Sequence, residues 1–247
     1  MQFLDRKNKV LSWIKRLEIA IDSARGLWFL HTYQGGCIVH RDIKVNLYYY
    51  IVMILTCMHS MISKEISILI FFNMQPTNIL LGSKFEAKLS DFGLSKIIEI
   101  GETYVSSEVR GTFGYVDPEY QSNHHVNSSG DVYSFGMVLL QIISGKRVIN
   151  LKLRRPMSLS KMVRNYAKAF TRNGSITEFA DPRLEGNYCE EAFDFTLQLA
   201  LSCTSLNQQR PSMEQVVNTL EKALLISKGR KIFTKETLQD LNIPNGP

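Results

Sequence analysis

Between residues 11 and 30, Leu17, Ala20, Ile21, Ala24, Leu27 and Trp28 recur at the three- and four-residue steps that place side chains on one face of an α-helix. An amphipathic helix is predicted there. CIVH at 37–40, Ile79 to Leu81 and Ala87 to Leu89 are short apolar runs, the last two parted by the turn formers Gly82 and Ser83, and each reads as a strand. The stretch DVYSFGMVLLQIISG opens on Asp131, closes on Gly145 and is apolar in between, which predicts a helix starting at Asp131 and buried on all sides. Leu159, Met162, Val163, Tyr166 and Phe170 mark a further amphipathic helix closed by Gly174, and Glu190 to Ser205 give one that is apolar nearly all round. Pro211 is expected in the first turn of a last helix whose stripe is Met213, Val216, Val217, Leu220 and Leu224. After Lys228 the periodicity stops, so 229–247 is expected as a loosely held tail. No internal repeat is present, and the pattern is α+β, mainly helical with a few short strands.

One region breaks this pattern. Val45 to Ser63 carries no formal charge, and a second apolar run, Ile66 to Met74, follows Lys64 and Glu65. A hydropathy reading would propose a membrane span near 47–72, although Asn46, Thr56, His59 and Ser60 dilute the roughly 20 apolar residues that a spanning helix needs.

Composition narrows the class. Hydrophobic residues make up 45% of the 247 and charged residues 21%, values of a globular protein with a sizeable core. The net charge of +6 is spread along the chain without a Lys/Arg block, so phosphate groups are favoured and nucleic acid is not expected. Cys37, Cys57, Cys189 and Cys203 form no C-x-x-C pair, which fits reduced, buried thiols. The start, MQFLDRKNKVLSW, has no apolar signal-peptide core.

Chemistry concentrates in two strings. HRDIK at 40–44 sets the carboxylate of Asp42 beside Arg41 and Lys44, and DFG at 91–93 supplies a second carboxylate after a strand. Two acidic loops plus an Asn are what phosphoryl transfer requires: one carboxylate orients the attacking hydroxyl, and the other, with the amide, holds Mg²⁺. Either string alone is a weak signal, but the order HRDIK, PTNILL (76–81), KLSDFGLSK (88–96), GTFGYVDPEY (111–120), DVYSFG (131–136), QRPSM (209–213) resembles the protein kinase family. Over residues 11–225 the wording is similar to plant receptor-like Ser/Thr kinases of the leucine-rich-repeat class.

The resemblance implies a protein-kinase-like fold, with residues 1–228 as a mainly helical C-terminal lobe. It implies ATP and Mg²⁺ as cofactors, with protein substrates and partner receptor kinases as partners. Asp42 is then the catalytic base and Lys44 the group facing the γ-phosphate, while Asn78 and Asp91 are the Mg²⁺ ligands. Arg41 resembles the class switched on by activation-loop phosphorylation, with Thr103, Ser106 and Ser107 as phosphosites or else plain solvated loop residues. Thr112 would shape the substrate groove, Glu119 would pair with Arg210, and Asp131 would hold the catalytic-loop backbone. These last three are expected to be fold-holding rather than chemical, and His40 is expected as a packed core histidine. Asp117 stands where the family pattern has Ala.

Two departures qualify this. The family spacing H-R-D-x-K-x-x-N is interrupted between Lys44 and Pro76 by the 31 residues 45–75, which contain no Gly, Ala, Arg or Pro. They begin with Val, encoded GTN, and end with Gln, which CAG encodes, so they resemble an intron retained in frame; a transmembrane or lid segment is the other reading. The second departure is that no G-x-G occurs and only 39 residues precede His40, so the N-terminal lobe with its nucleotide clamp is expected to be absent and this chain impaired. The resemblance places an intact relative at the cytosolic side of the plasma membrane and this chain in the cytoplasm, in contact with membrane only through other parts or the 45–75 run. A non-catalytic kinase-like binding module is the alternative function.

Overall fold

The computed structural model describes residues 10–45, 77–82, 84–150, 157–162 and 179–229. The apolar run from 46 onward, the span proposed near 47–72, the helix from Val163 to Gly174, and the tail beyond 229 lie outside the described residues.

Among the described residues five helices are complete: α1 (Trp13–His31), α2 (Pro118–Asn123), α3 (Ser128–Ser144), α4 (Glu190–Cys203) and α5 (Met213–Ser227). Helix α1 starts where Ser12 accepts a hydrogen bond from the Lys15 amide, relieving one of the unpaired N–H groups of a first turn. Its predicted face is the buried one: Leu17, Ala20, Ile21, Ala24 and Leu27 are buried, and it packs on α5 and α3. The indole of Trp13 donates to the Ser227 hydroxyl at 2.9 Å, fixing the start of α1 to the end of α5.

Helix α3 is the centre of the core, with every residue from Asp131 to Ser144 buried. It begins three residues before Asp131, because Asn127, not Asp131, is the cap that accepts from the Gly130 amide. The Asp131 carboxylate is thereby released for another use. At Gly136 a Cβ would lie 2.7 Å from Cys203 Cβ and 2.8 Å from Thr204 Cγ2, so only glycine permits the approach of α3 to α4. Burial pushes the Cys203 thiol up to about 12. Pro211 precedes α5 rather than entering it, since Ser212 and Gln215 form a reciprocal capping box that sets the helix start.

Among the described residues the strands form four separate two-stranded antiparallel ribbons. They are β1 (Cys37–Val39) with β4 (Lys96–Ile98), β2 (Ile79–Leu81) with β3 (Ala87–Leu89), β5 (Val105–Ser106) with β6 (His125–Val126), and β7 (Ile149–Asn150) with β8 (Met157–Ser158). Only β1, β2 and β3 are evident as apolar runs. β5 to β8, two residues each, are too short for alternation to reveal, and β4, as long as β1, is not singled out.

Arg16, which a helix pattern assigns to solvent, is buried: Nε donates to the Leu11 carbonyl at 3.0 Å, Nη1 to Ile142 at 2.8 Å, and Nη2 pairs with Asp181 at 2.8 Å. Burial lowers the Arg16 pKa, and the Asp181 ion pair opposes that shift. Burial alone would raise the Asp181 carboxyl, but the pairs with Arg183 and Arg16 outweigh it and hold it below its ordinary value. Among the described residues no helix is long and apolar enough to cross a membrane.

Candidate active site

The site forms where β1 runs out against α3. The buried Asp131 carboxylate accepts from the His40 amide at 2.7 Å, from the Arg41 amide at 2.8 Å, and faces His31 Nε2 at 3.0 Å. Two backbone donors on one carboxylate hold this turn against the core helix. Arg41 adopts φ 71°, a strained left-handed conformation for a residue with a side chain. The Asp131 bond to its amide stabilises it. Beside it, Gly111 brings the next segment within 2.8 Å of the Arg41 carbonyl, measured from the position of an added Cβ, so no larger residue fits.

His40 is fully buried and packs on the Phe92 ring at a centroid distance of 5.0 Å. Its Nε2 lies 3.0 Å from the Ser90 carbonyl, while Nδ1 accepts from the Asp42 amide at 3.3 Å. This pattern assigns the proton to Nε2. His40 therefore ties HRD to DFG.

Asp42, Lys44, Asn78 and Thr112 meet in one cluster. Lys44 Nζ donates to Asp42 Oδ2 at 2.8 Å and to Thr112 Oγ1 at 2.9 Å, and the Thr112 hydroxyl donates to Asp42 Oδ1 at 2.6 Å. Asn78, 36 positions along the chain from Asp42, donates through Nδ2 to the Asp42 carbonyl at 2.7 Å and to Oδ2 at 2.9 Å. That amide turns its NH₂ to Asp42 and leaves Oδ1 as a buried acceptor with no hydrogen-bond partner among the described residues. The Ser90 amide donates to the Asn78 carbonyl at 3.0 Å, which brings Asp91 to the same edge. Asp91 is exposed at φ 63°, and among the described residues its carboxylate forms no ion pair. The Asn78 amide oxygen and the Asp91 carboxylate are hard oxygen donors on two segments joined by the Ser90–Asn78 bond, and donors of that chemistry fit Mg²⁺.

The Arg41 guanidinium points away from Asp42. It donates to the Leu94 carbonyl at 3.1 Å, to the Glu108 carbonyl at 2.8 Å and to the Tyr120 hydroxyl, while its buried Nε has no hydrogen-bond partner among the described residues. A cavity of ≈ 360 Å³ opens here, with Arg41, Lys96, Arg110 and Ser107 in its wall. Thr103 and Ser106 are exposed, and Ser106 lies in β5 opposite His125.

Glu119 meets Arg210 at 3.3 Å, but the closer partner is Asp117, bidentate at 2.6 and 2.8 Å. Glu119 mainly accepts from the Asn207 amide, at 2.6 Å. Sequence reasoning did not pick out Tyr120, His31 or Tyr115, and it noted Asp117 only as a departure from the family's Ala, not as a partner of Arg210. Tyr115 is buried and hydrogen-bonds Gln141 at 2.6 Å and the Val45 carbonyl at 3.0 Å, and burial raises its phenol pKa. The aspartate that departs from the family's Ala-Pro-Glu was the available signal for Asp117, since an acid added beside a known ion pair is a candidate partner.

The protein kinase domain profile matches residues 46–220. The nodulation receptor kinase of Pisum sativum is 37% identical over 231 residues, covering 93% of this chain and 21% of the relative. Two probable leucine-rich-repeat receptor-like serine/threonine-protein kinases of Arabidopsis thaliana are 35% identical over 232 residues and 38% identical over 219. The chain spans about a fifth of the length of these curated relatives. With most of the chain matched, and with the HRD and DFG segments joined through Asn78 and His40, the chain belongs to the protein kinase family.

Proposed function

We propose that these residues are the catalytic lobe of a receptor-like kinase that moves the γ-phosphate of ATP to a protein Ser or Thr. The observation that carries this reading is the cluster in which Asp42 is held by Lys44, Asn78 and Thr112 while the Asn78 Oδ1 stays unpaired. Asn78 and Asp91 would hold Mg²⁺, which supplies charge neutralisation on the phosphates. Asp42 accepts the proton of the incoming hydroxyl at one carboxylate oxygen, and Lys44, at 2.8 Å from that carboxylate, orients it and faces the transferred group. The Thr112 hydroxyl, donating to Oδ1, marks where a substrate hydroxyl is oriented.

Regulation is proposed at the basic cavity. Ser107 lies in its wall with Arg41, Lys96 and Arg110, the last paired at 3.0 Å with Glu108 of the same wall, so a phosphate there would gain charge-assisted bonds and compete with Glu108 for Arg110, whereas Thr103 and Ser106 do not line it. The intact protein is proposed to act at the cytosolic face of the plasma membrane, on protein substrates and with partner receptor kinases. The 45–75 run is proposed as translated intron, tested by the length of cDNA spanning the Lys44 and Pro76 codons.

In a kinase domain joining these residues to a Gly-rich loop and a strand lysine, Asp42→Asn should lower peptide phosphorylation by about 10²–10⁴-fold. Unchanged transfer would refute the reading. The 247-residue chain alone, with no G-x-G to cover the phosphates, is proposed to turn over poorly. Sustained transfer above its own Asp42→Asn variant would overturn that. A docking module is the second reading, favoured by Phe113, 81% exposed next to Thr112; partner capture that survives both Asp42→Asn and Asp91→Asn would support it.

A further inference from the structure

The buried Tyr120 phenol of α2 sits between the catalytic loop and the segment that follows DFG. Its hydroxyl accepts from Arg41 Nη2 and, at 3.2 Å, from the Arg110 amide, and it donates to the Glu108 carbonyl. One O–H and two lone pairs are all that a phenol has, so its bonding capacity is used in full. Arg41 Nη2 also donates to that Glu108 carbonyl at 2.8 Å, and the guanidinium carbon lies 5.5 Å from the centre of the Tyr120 ring.

We propose that Tyr120 is a positioning residue whose hydroxyl clasps the Glu108–Arg110 segment to Arg41 and so sets that segment beside Asp42 with no phosphate bound. The inference rests on the reading of Asp42 and Arg41 as parts of a phosphotransfer site. The clasp has a fixed base, because Asp117, the cap of α2, is paired with Arg210 at 2.6 Å. Upstream, the segment is joined to the end of α2 by the β5–β6 ribbon and by the Ser107 amide on the His124 carbonyl at 3.0 Å. Downstream, Gly111 passes against the Arg41 carbonyl and the Thr112 hydroxyl bonds Asp42 at 2.6 Å. Tyr120 holds the stretch between these fastenings, ending two residues before the group that touches the catalytic carboxylate.

The clasp leaves a donor for an anion. Glu108 and Tyr120 occupy Nη2, whereas the buried Arg41 Nε has no hydrogen-bond partner among the described residues and Arg41 lines the cavity with Lys96 and Ser107. A phosphate on Ser107 would add a bond through Nε without displacing Tyr120. Order in the segment is then set in two steps, the first by a neutral hydroxyl.

Amide hydrogen exchange and NMR of the Arg41 side chain, in the unphosphorylated 247-residue chain and in Tyr120→Phe, test the first step without reference to phosphotransfer. Phenylalanine keeps the ring against the guanidinium and removes only the hydroxyl. The Arg110 amide is expected to exchange about 10-fold faster or more in Tyr120→Phe while α1 amides stay protected. The Arg41 Nη signals, distinct in the unaltered chain because the guanidinium is held, are expected to merge in the variant. Gly136→Ala, which strains the core away from the clasp, should leave both readouts unchanged. Equal Arg110 exchange in the two chains, or Arg41 signals already merged in the unaltered chain, would overturn the proposal. If Tyr120→Phe does not fold, the unaltered chain decides: the Val109 amide has no acceptor among the described residues, so Arg110 protected above Val109 supports the clasp and equal exchange of the two overturns it. A failed kinase assay with the Arg110 difference intact would count against the phosphotransfer reading and leave the clasp standing.

Discussion

The Arg210 cluster and the Asp42 cluster are both buried, both built across long sequence separations, and both centred on a charged pair. Around Arg210 the valences are used: Nε goes to the Ser205 carbonyl, Nη1 to Asp117 and the Ser129 carbonyl, and Nη2 to Asp117 and Glu119. Around Asp42 they are not. Among the described residues the buried Asn78 Oδ1 has no hydrogen-bond partner, and Asp91, next to the Ser90 whose amide bonds the Asn78 carbonyl, is exposed. A buried polar atom left without a partner costs about 1–3 kcal/mol, so an arrangement that keeps one is selected for what it binds rather than for stability. The saturated cluster holds the fold and the open one faces a ligand.

The largest effect expected from breaking this contrast is at Arg210. Arg210→Ala leaves Asp117 buried with its charge uncompensated and should cost about 3–5 kcal/mol, read as a fall in denaturant midpoint. Asn78→Ala should be milder, about 1–3 kcal/mol, because it removes two donors to Asp42 but also the orphaned acceptor. Its clearer signature is weakened Mn²⁺ binding, which Arg210→Ala should not show in the folded fraction. Gly136→Ala forces a Cβ against Cys203 and Thr204 and should cost about 1–3 kcal/mol with no change in metal binding. The smallest effect concerns acid. Asp181 has a folded pKa below its unfolded value, so its contribution is complete above the unfolded value and is lost as pH falls through the folded one. Stability should therefore decline below about pH 4, and the slope of that decline should be shallower in Asp181→Asn.

How much of this could be read in the chain differs between the two clusters. Asp42, Lys44 and Asp91 sit in short covalent strings, so their chemistry was visible before any fold. Asn78 was visible only once the 45–75 run was read as foreign, and the structure places it on Asp42. Asp117 was seen as a departure but not as a partner, because ion pairs across 93 positions depend on how α2 and α5 are brought together. The same holds for Arg16 with Asp181, where a buried arginine looks like any solvent-facing residue of an amphipathic helix until Ile142 and Asp181 close over it. Helix existence followed from periodicity, whereas the start of α3 did not. Asn127 outcompetes Asp131 as a cap, and Asp131 is drawn to the His40 and Arg41 amides instead.

The most direct test of the open cluster is a Mn²⁺ titration of the chain followed by paramagnetic line broadening. The account predicts that the Asn78 side-chain amide and the Asp91 and Gly93 backbone amides broaden first and together, that in Asn78→Ala the broadening at Asp91 and Gly93 is weakened, and that signals around Arg210 stay sharp. Broadening that spares Asn78 and Asp91, or that persists unchanged in Asn78→Ala, would contradict it.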